Sequence, residues 1–188
     1  MKKLLFLFAA ILMAANVMAE GHMKFKGIEI DGTPKEFIKQ LEAKGFKYSG
    51  FYNGVDVLTG DFAGYKNCNV AVIATNNVVV RITVFFPESD TWEALYKNYS
   101  ILKELLTTKY GSPVTDKEEW QNSYGQRDDN SKMHELKMNR AHILSQFDTS
   151  EGSVRLEIAH LDFDCYVVLS YFDNQSQDQL RNSALEDL

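Results

Sequence analysis

The stretch from Asp90 to Pro113 narrows the choice of fold more than any other part of this chain. Trp92, Leu95, Tyr96, Tyr99, Leu102, Leu105 and Leu106 recur at intervals of three and four, which lines them along one stripe of a 3.6-residue helix. Lys97, Lys103, Glu104 and Lys109 fall mostly off that stripe. Asp90 is placed to cap the free N–H groups with Glu93 three residues on in capping-box position, and Gly111 and Pro113 supply the stop. About 20 residues at 1.5 Å rise span roughly 30 Å, enough to cross four or five strands spaced about 4.8 Å apart. Such a helix needs a sheet beneath it, and its aromatic stripe is expected to pack into the core.

The flanking sequence has strand patterning. Phe46 to Tyr52, Val55 to Phe62, Asn67 to Thr75 and Val78 to Phe86 are punctuated by Asn53-Gly54, Gly64 and Asn76-Asn77, the signature of an antiparallel meander. A two-residue turn at Asn76-Asn77 pairs Thr75 with Val78 and Ala71 with Ile82. Ile73, Val80, Ile82, Val84 and Phe86 then share one face, and Cys68, Val70, Val72, Val79, Arg81, Thr83 and Phe85 the other. Both faces are apolar, so either both are covered or one is available to a partner. Upstream, Met23 to Ile30 reads as extended. Thr33-Pro34-Lys35-Glu36 opens a shorter helix with Phe37, Ile38 and Leu41 on its apolar face and a stop at Lys44-Gly45.

Beyond the long helix, Val114 to Gln121 fits a strand. Asn122 to Arg140 is polar and irregular and is expected to be a long loop with a helical turn near Met133 to Met138. Ala141 to Asp148, Ser153 to His160 and Cys165 to Phe172 are three further strands, and the polar tail 173–188 is either a frayed helix or disordered. The order helix, early strand, apolar meander therefore occurs twice, over 23–88 and 89–172. The expectation is an α+β domain spanning 20–172, made of two similar helix-plus-antiparallel-meander units with the helices on one side of the sheet.

This layout resembles the beta-lactamase-inhibitor-protein-like arrangement of tandem helix-plus-meander units. It is also similar to small secreted proteins of Bacteroidota whose helices end in a KYG-x-P stop, here Lys109-Tyr110-Gly111-Ser112-Pro113. The resemblance covers roughly Thr33 to Phe172 and rests on structural stop signals. It implies a fold used by binding proteins and transfers no catalytic residue.

The first residues carry an address. Lys2 and Lys3, the apolar run Leu4 to Ala15 and Val17-Met18-Ala19 make a secretory signal, residues 1–19, with cleavage expected after Ala19 and a periplasmic or secreted destination. No later run approaches the roughly 20 apolar residues of a spanning helix. Without Lys2 and Lys3 there are 18 basic residues against 26 acidic, a net charge of about −8 that disfavours nucleic acid and anionic lipid. The only two cysteines, Cys68 and Cys165, are either a disulfide permitted by an oxidising compartment or two buried thiols.

No motif for chemistry stands out. His22, His134, His142 and His160 form no metal-binding spacing, and no cofactor fingerprint or nucleophile elbow is present. Asp128-Asp129 and Asp162/Asp164 are the candidate carboxylate pairs, yet aspartates are favoured in turns for local hydrogen bonding alone. What remains is recognition through exposed aromatics, with Trp120, Tyr124, Tyr48, Phe51 and Tyr52 as the candidate platform for a protein, peptide or glycan of the cell envelope. The rival expectations are a polymer hydrolase with an unrecognised carboxylate site and a structural component of an envelope assembly.

Overall fold

A computed structural model describes residues 21–122 and 128–186. The described residues open on a small hairpin, β1 (Lys24–Phe25) and β2 (Ile28–Glu29), turned by Lys26 and Gly27 at φ 54° and 79°. Helix α1 (Pro34–Ala43) begins where Thr33 and Glu36 complete a capping box. Next come β3 (Lys47–Tyr52), β4 (Val55–Phe62), β5 (Tyr65–Thr75) and β6 (Val78–Phe85). Left-handed residue pairs at Asn53-Gly54, Ala63-Gly64 and Asn76-Asn77 give these strands the twist-matched two-residue turns of hairpins. After α2 (Trp92–Tyr110) follow β7 (Thr115–Trp120), α3 (Asp129–Lys137), β8 (Ala141–Asp148), β9 (Gly152–Leu161), β10 (Asp164–Asp173) and α4 (Asn174–Glu186).

The long strands form one antiparallel sheet in the order β3-β4-β5-β6-β10-β9-β8-β7. Its centre is the β6–β10 pair, so β3 and β7 are the two free edges. Along one face runs a row from Tyr48 through Leu58, Val70, Val84, Leu169, Leu156 and Ser145 to Asp116, each opposite the next. Phe37 and Leu41 of α1 and Trp92, Leu95, Tyr99, Leu102 and Leu106 of α2 are buried in the same core cluster as the apolar members of that row. Each fully buried leucine or isoleucine there contributes about 1.5–3 kcal/mol relative to exposure. Gly60 belongs to this packing, because a side chain there would meet the Phe46 ring at 2.4 Å. Among the described residues no helix is long and apolar enough to cross a membrane.

Several expectations change. The cap of α2 is Thr91, whose side chain accepts from the Ala94 N–H, so Asp90 lies outside the helix. The buried stripe of α2 keeps the strict alternation 92, 95, 99, 102, 106, leaving Tyr96 37% and Leu105 53% exposed on its flanks. Pairing of Thr75 with Val78 holds, but a bulge between Ile73 and Ala74 inserts Val80 and sets Ala71 opposite Thr83. Cys68, Val70 and Val72 therefore share the helix-covered face with Ile82, Val84 and Phe86. Residues 129–137 are a helix capped by Asp128, and of the two alternatives for the polar tail the helix is the one found, α4, with the buried Asp173 carboxylate accepting from the Ser176 N–H.

The second face is no open apolar surface. Thr83 and Ser170 are buried and hydrogen-bonded at 3.0 Å, and the guanidiniums of Arg81 and Arg155 lie 5.5 and 5.7 Å from the Phe172 ring. Cys68 and Cys165 are buried free thiols, the second of the two alternatives for the pair. They stand on β5 and β10 with β6 between them, and adjacent strands lie about 4.8 Å apart, which leaves the pair two strand spacings apart.

Candidate functional site

Strand β3 has the sequence KYSGFY and one extra residue relative to β4. Tyr48 sits opposite Leu58 and Gly50 opposite Val57, leaving Ser49 bulged. In a regular strand residues three apart point to opposite faces; the bulge puts Tyr48 and Phe51 on the same one. Gly50 holds φ 140°, and a side chain on it would meet the Tyr52 hydroxyl at 2.9 Å. Tyr52 thus lies over Gly50 on the other face, its hydroxyl donating to the Ser49 carbonyl at 3.0 Å.

Tyr48 and Phe51, 45% and 64% exposed, face the outer side of α1 across an open groove of about 750 Å³. Pro34, Lys35, Ile38, Lys39 and Glu42 line it from the helix, and Asp56 and Asn77 from β4 and the β5–β6 turn. The helical spacing 35, 38, 39, 42 is what places the α1 residues on one stripe. Ile38 is half-buried and gives the groove an apolar floor beside the two rings. The Tyr48 hydroxyl donates to Asp56 Oδ1 at 2.8 Å, and that bond raises the phenol above its usual range. Among the described residues nothing else engages the side chains of Asp56, Lys35, Lys39, Glu42 or Asn77. The groove offers two ammoniums, two carboxylates and an amide around two aromatic rings.

The other expected platform residues lie elsewhere. Trp120 is on β7, at the opposite edge, half-buried with its ring centroid 5.1 Å from that of Trp92. Tyr124 falls outside the described residues. The proposed five-residue platform therefore divides: Tyr48 and Phe51 come together, Tyr52 turns to the second face, and Trp120 packs against the long helix. Sequence reading missed Lys35, Ile38, Lys39, Glu42, Asp56 and Asn77 as site residues, because they meet Tyr48 and Phe51 only through the packing of α1 beside β3 and through a bulge that periodicity does not display.

A second cluster of polar groups joins α2 to β7 and β8. The Tyr99 hydroxyl and Ser145 Oγ are 2.6 Å apart, Ser145 donates to Asp116 Oδ1 at 2.8 Å, and Lys103 donates to Asp116 at 2.6 and 2.7 Å. Burial pushes the Tyr99 phenol up to about 12, and the Lys103 ammonium, with Ser145, lowers the Asp116 carboxyl. A serine, a tyrosine, a lysine and an aspartate in one chain of bonds resemble a catalytic constellation. Ser145 is 0% and Tyr99 3% exposed, however, and the small cavity beside them, about 140 Å³, is lined by Tyr99, Lys103 and Asp116 but not by Ser145. The network fastens the helix to the sheet.

The remaining candidates have local structural partners. Asp128 caps α3, and Asp162 occupies the left-handed corner of the β9–β10 turn at φ 54°. His160 bonds the Asn139 side chain and the Asp162 carbonyl, each at 3.0 Å. His22 lies 3.0 Å from the buried Asp173, which also accepts from the Met23 N–H, so this pair ties the first described residues to the end of β10. Burial raises both cysteine thiols, which keeps them out of the thiolate form. Among the described residues no group of three or more His, Cys, Asp or Glu is placed to hold a metal. Comparison with protein-family models, with curated proteins and with solved structures returned no match.

Proposed function

We propose that this chain is an exported, non-catalytic binding protein of the periplasm or cell exterior, and that it recognises an envelope partner through the groove between α1 and β3. The observation that carries the reading is the exposure of Tyr48, Phe51 and Tyr52 on one six-residue edge strand, two of them facing a groove whose charged side chains are largely unengaged. Water-exposed aromatic rings favour association, and a concave site with apolar floor and polar rim is the usual form of a recognition site. The export signal in residues 1–19 supports the location.

The same reading takes the two halves as a structural repeat. Its support is the strand order, in which β3-β4-β5-β6 running inward from one edge is matched by β7-β8-β9-β10 running inward from the other, each set preceded by its helix. A helix-plus-meander duplication resembling the beta-lactamase-inhibitor-protein-like arrangement yields such an order.

The test is retention of envelope material on the immobilised mature protein, compared with its Phe51→Ala variant. A component held by the first and released by the second supports the groove. Equal retention by both, or none by either, removes it. One observation favours a structural role in an assembly instead: Leu161 and Phe163 stand 60% and 79% exposed at the β9–β10 turn. Sedimentation separates the two, since an obligate assembly component does not remain monomeric at micromolar concentration.

A further inference from the structure

Building on the groove reading, we infer that the ligand of the α1–β3 groove is a neutral oligosaccharide. Three features of the groove converge on that class.

The first is charge. The groove lining holds Lys35 and Lys39 against Glu42 and Asp56, so it carries no net charge, in a chain that is acidic overall. A strongly anionic or cationic ligand would leave one pair of like charges facing it, while a neutral ligand rich in hydroxyls can donate to the carboxylates and accept from the ammoniums and the Asn77 amide. The second is unmet bonding capacity. Asp56 uses one oxygen for Tyr48 and keeps Oδ2, and Lys35, Lys39, Glu42 and Asn77 are available at the rim beside it. Charge-assisted hydrogen bonds to hydroxyl groups are the strong ones available to a sugar.

The third is the state of the edge itself. An extended peptide usually joins a free edge through its backbone. On β3 the Ser49 carbonyl already accepts from the Tyr52 hydroxyl at 3.0 Å, and the Ser49-Gly50 bulge breaks the register a partner strand would follow. Recognition therefore falls to side chains. An exposed Phe51 ring beside Tyr48 and Ile38 offers an apolar platform for the C–H face of a pyranose, with polar groups on both walls for its hydroxyls. A volume of about 750 Å³ in an open groove accommodates several sugar rings and leaves the chain ends free.

The experiment is a titration of the isotope-labelled mature protein with neutral tetrasaccharides of glucose, mannose, galactose, xylose and N-acetylglucosamine, each to about 10 mM, followed by amide shifts in NMR. The expected result is saturable movement of amides in β3, α1 and the β5–β6 turn with at least one sugar. Phe51→Ala should weaken it by about tenfold or more, and Asp56→Asn by a smaller factor. Both substitutions are at the surface, and their unperturbed spectra elsewhere show that the fold is intact. If no tetrasaccharide moves the groove, or if Phe51→Ala binds as well as the parent, the inference is overturned. Parallel titration with an acidic and a basic decapeptide separates the two levels of failure. Movement of the groove by a peptide alone rejects the sugar and keeps the recognition site.

Discussion

The eight-stranded sheet ends in two edges, β3 and β7, which face the same hazard and meet it by different means. An edge presents unpaired backbone groups to any passing strand, and proteins blunt it with charge, bulges or cover. On β7 the sequence TDKEEW supplies charge, and that charge is engaged within the protein: Asp116 by Lys103 and Ser145, Glu118 by the Tyr96 hydroxyl, Glu119 by Lys117. Its one aromatic, Trp120, rests on Trp92. On β3 the bulge and the folded-back Tyr52 do the blunting, but the aromatic rings stay in water and the charged groups across the groove find few partners. Guarding an edge does not require exposed rings, as β7 shows. Their presence on β3 is what the proposed ligand of the groove would account for.

The comparison makes unequal demands on stability. Trp92 is 4% exposed and shares its contact with Trp120, so Trp92→Ala should destabilise by about 3–5 kcal/mol through lost burial and a cavity, visible as a lower urea midpoint. A loss under about 1 kcal/mol would mean that α2 does not anchor the β7 half. Next in size comes Gly50→Ala. It places a Cβ at φ 140° against the Tyr52 ring, and a cost of about 1–2 kcal/mol is expected from strain and displacement of that ring. If Gly50→Ala is neutral in the same urea titration, the bulge is not a fixed feature of β3.

The network beside β7 also gives that edge a pH dependence at both ends of the scale. Tyr99 has a folded value near 12 against 10 unfolded, so the folded state keeps a proton that the unfolded state loses between those values. Stability conferred by the neutral phenol is fully present below pH 10 and falls as pH rises toward 12. At the acid end Asp116 is lowered from 3.8, so its contribution is present above that value and is lost as pH falls through the folded value. Its side chain is 47% exposed, which keeps the contribution under about 1 kcal/mol after solvent screening. Stability measured from pH 9 to 12 should decline less steeply in Tyr99→Phe, and the acid limb should flatten in Asp116→Asn. Unchanged slopes in both would show that the network is loose in solution.

Legibility followed the same division. The capping box at Thr33, the stop at Gly111 and the three hairpin turns were readable because each is a local backbone demand answered by a particular residue type. Pairing at Thr75 and Val78 was readable too, but not the bulge that follows, since an inserted Val80 looks like any other valine in an apolar run. That single residue moved Cys68, Val70 and Val72 to the other face. The helices α3 and α4 were obscured by polar composition, although Asp128 and Asp173 were in place as caps. For the groove, the aromatics of β3 were visible in the sequence, and their division between faces was not, because it depends on Ser49 being the bulged residue. Trp120 joined the wrong group because aromatic content alone does not distinguish a ring that packs on α2 from one that waits in solvent.

The smallest expected effect is the one that tests the contrast most closely. Phe51 is 64% exposed, and Tyr48→Phe removes only a hydroxyl bonded to a surface carboxylate. If the β3 rings serve a ligand, neither Phe51→Ala nor Tyr48→Phe should change stability by more than about 0.5 kcal/mol, the range of ordinary surface substitutions. Trp120→Ala at the other edge should cost more than either, because a half-buried ring in contact with Trp92 leaves part of that contact empty. Measured side by side in urea, the three variants rank the edges directly. A loss above about 1 kcal/mol for Phe51→Ala would show that its ring holds β3 against α1, and the exposed aromatics of this edge would then be packing of the same kind as that on β7.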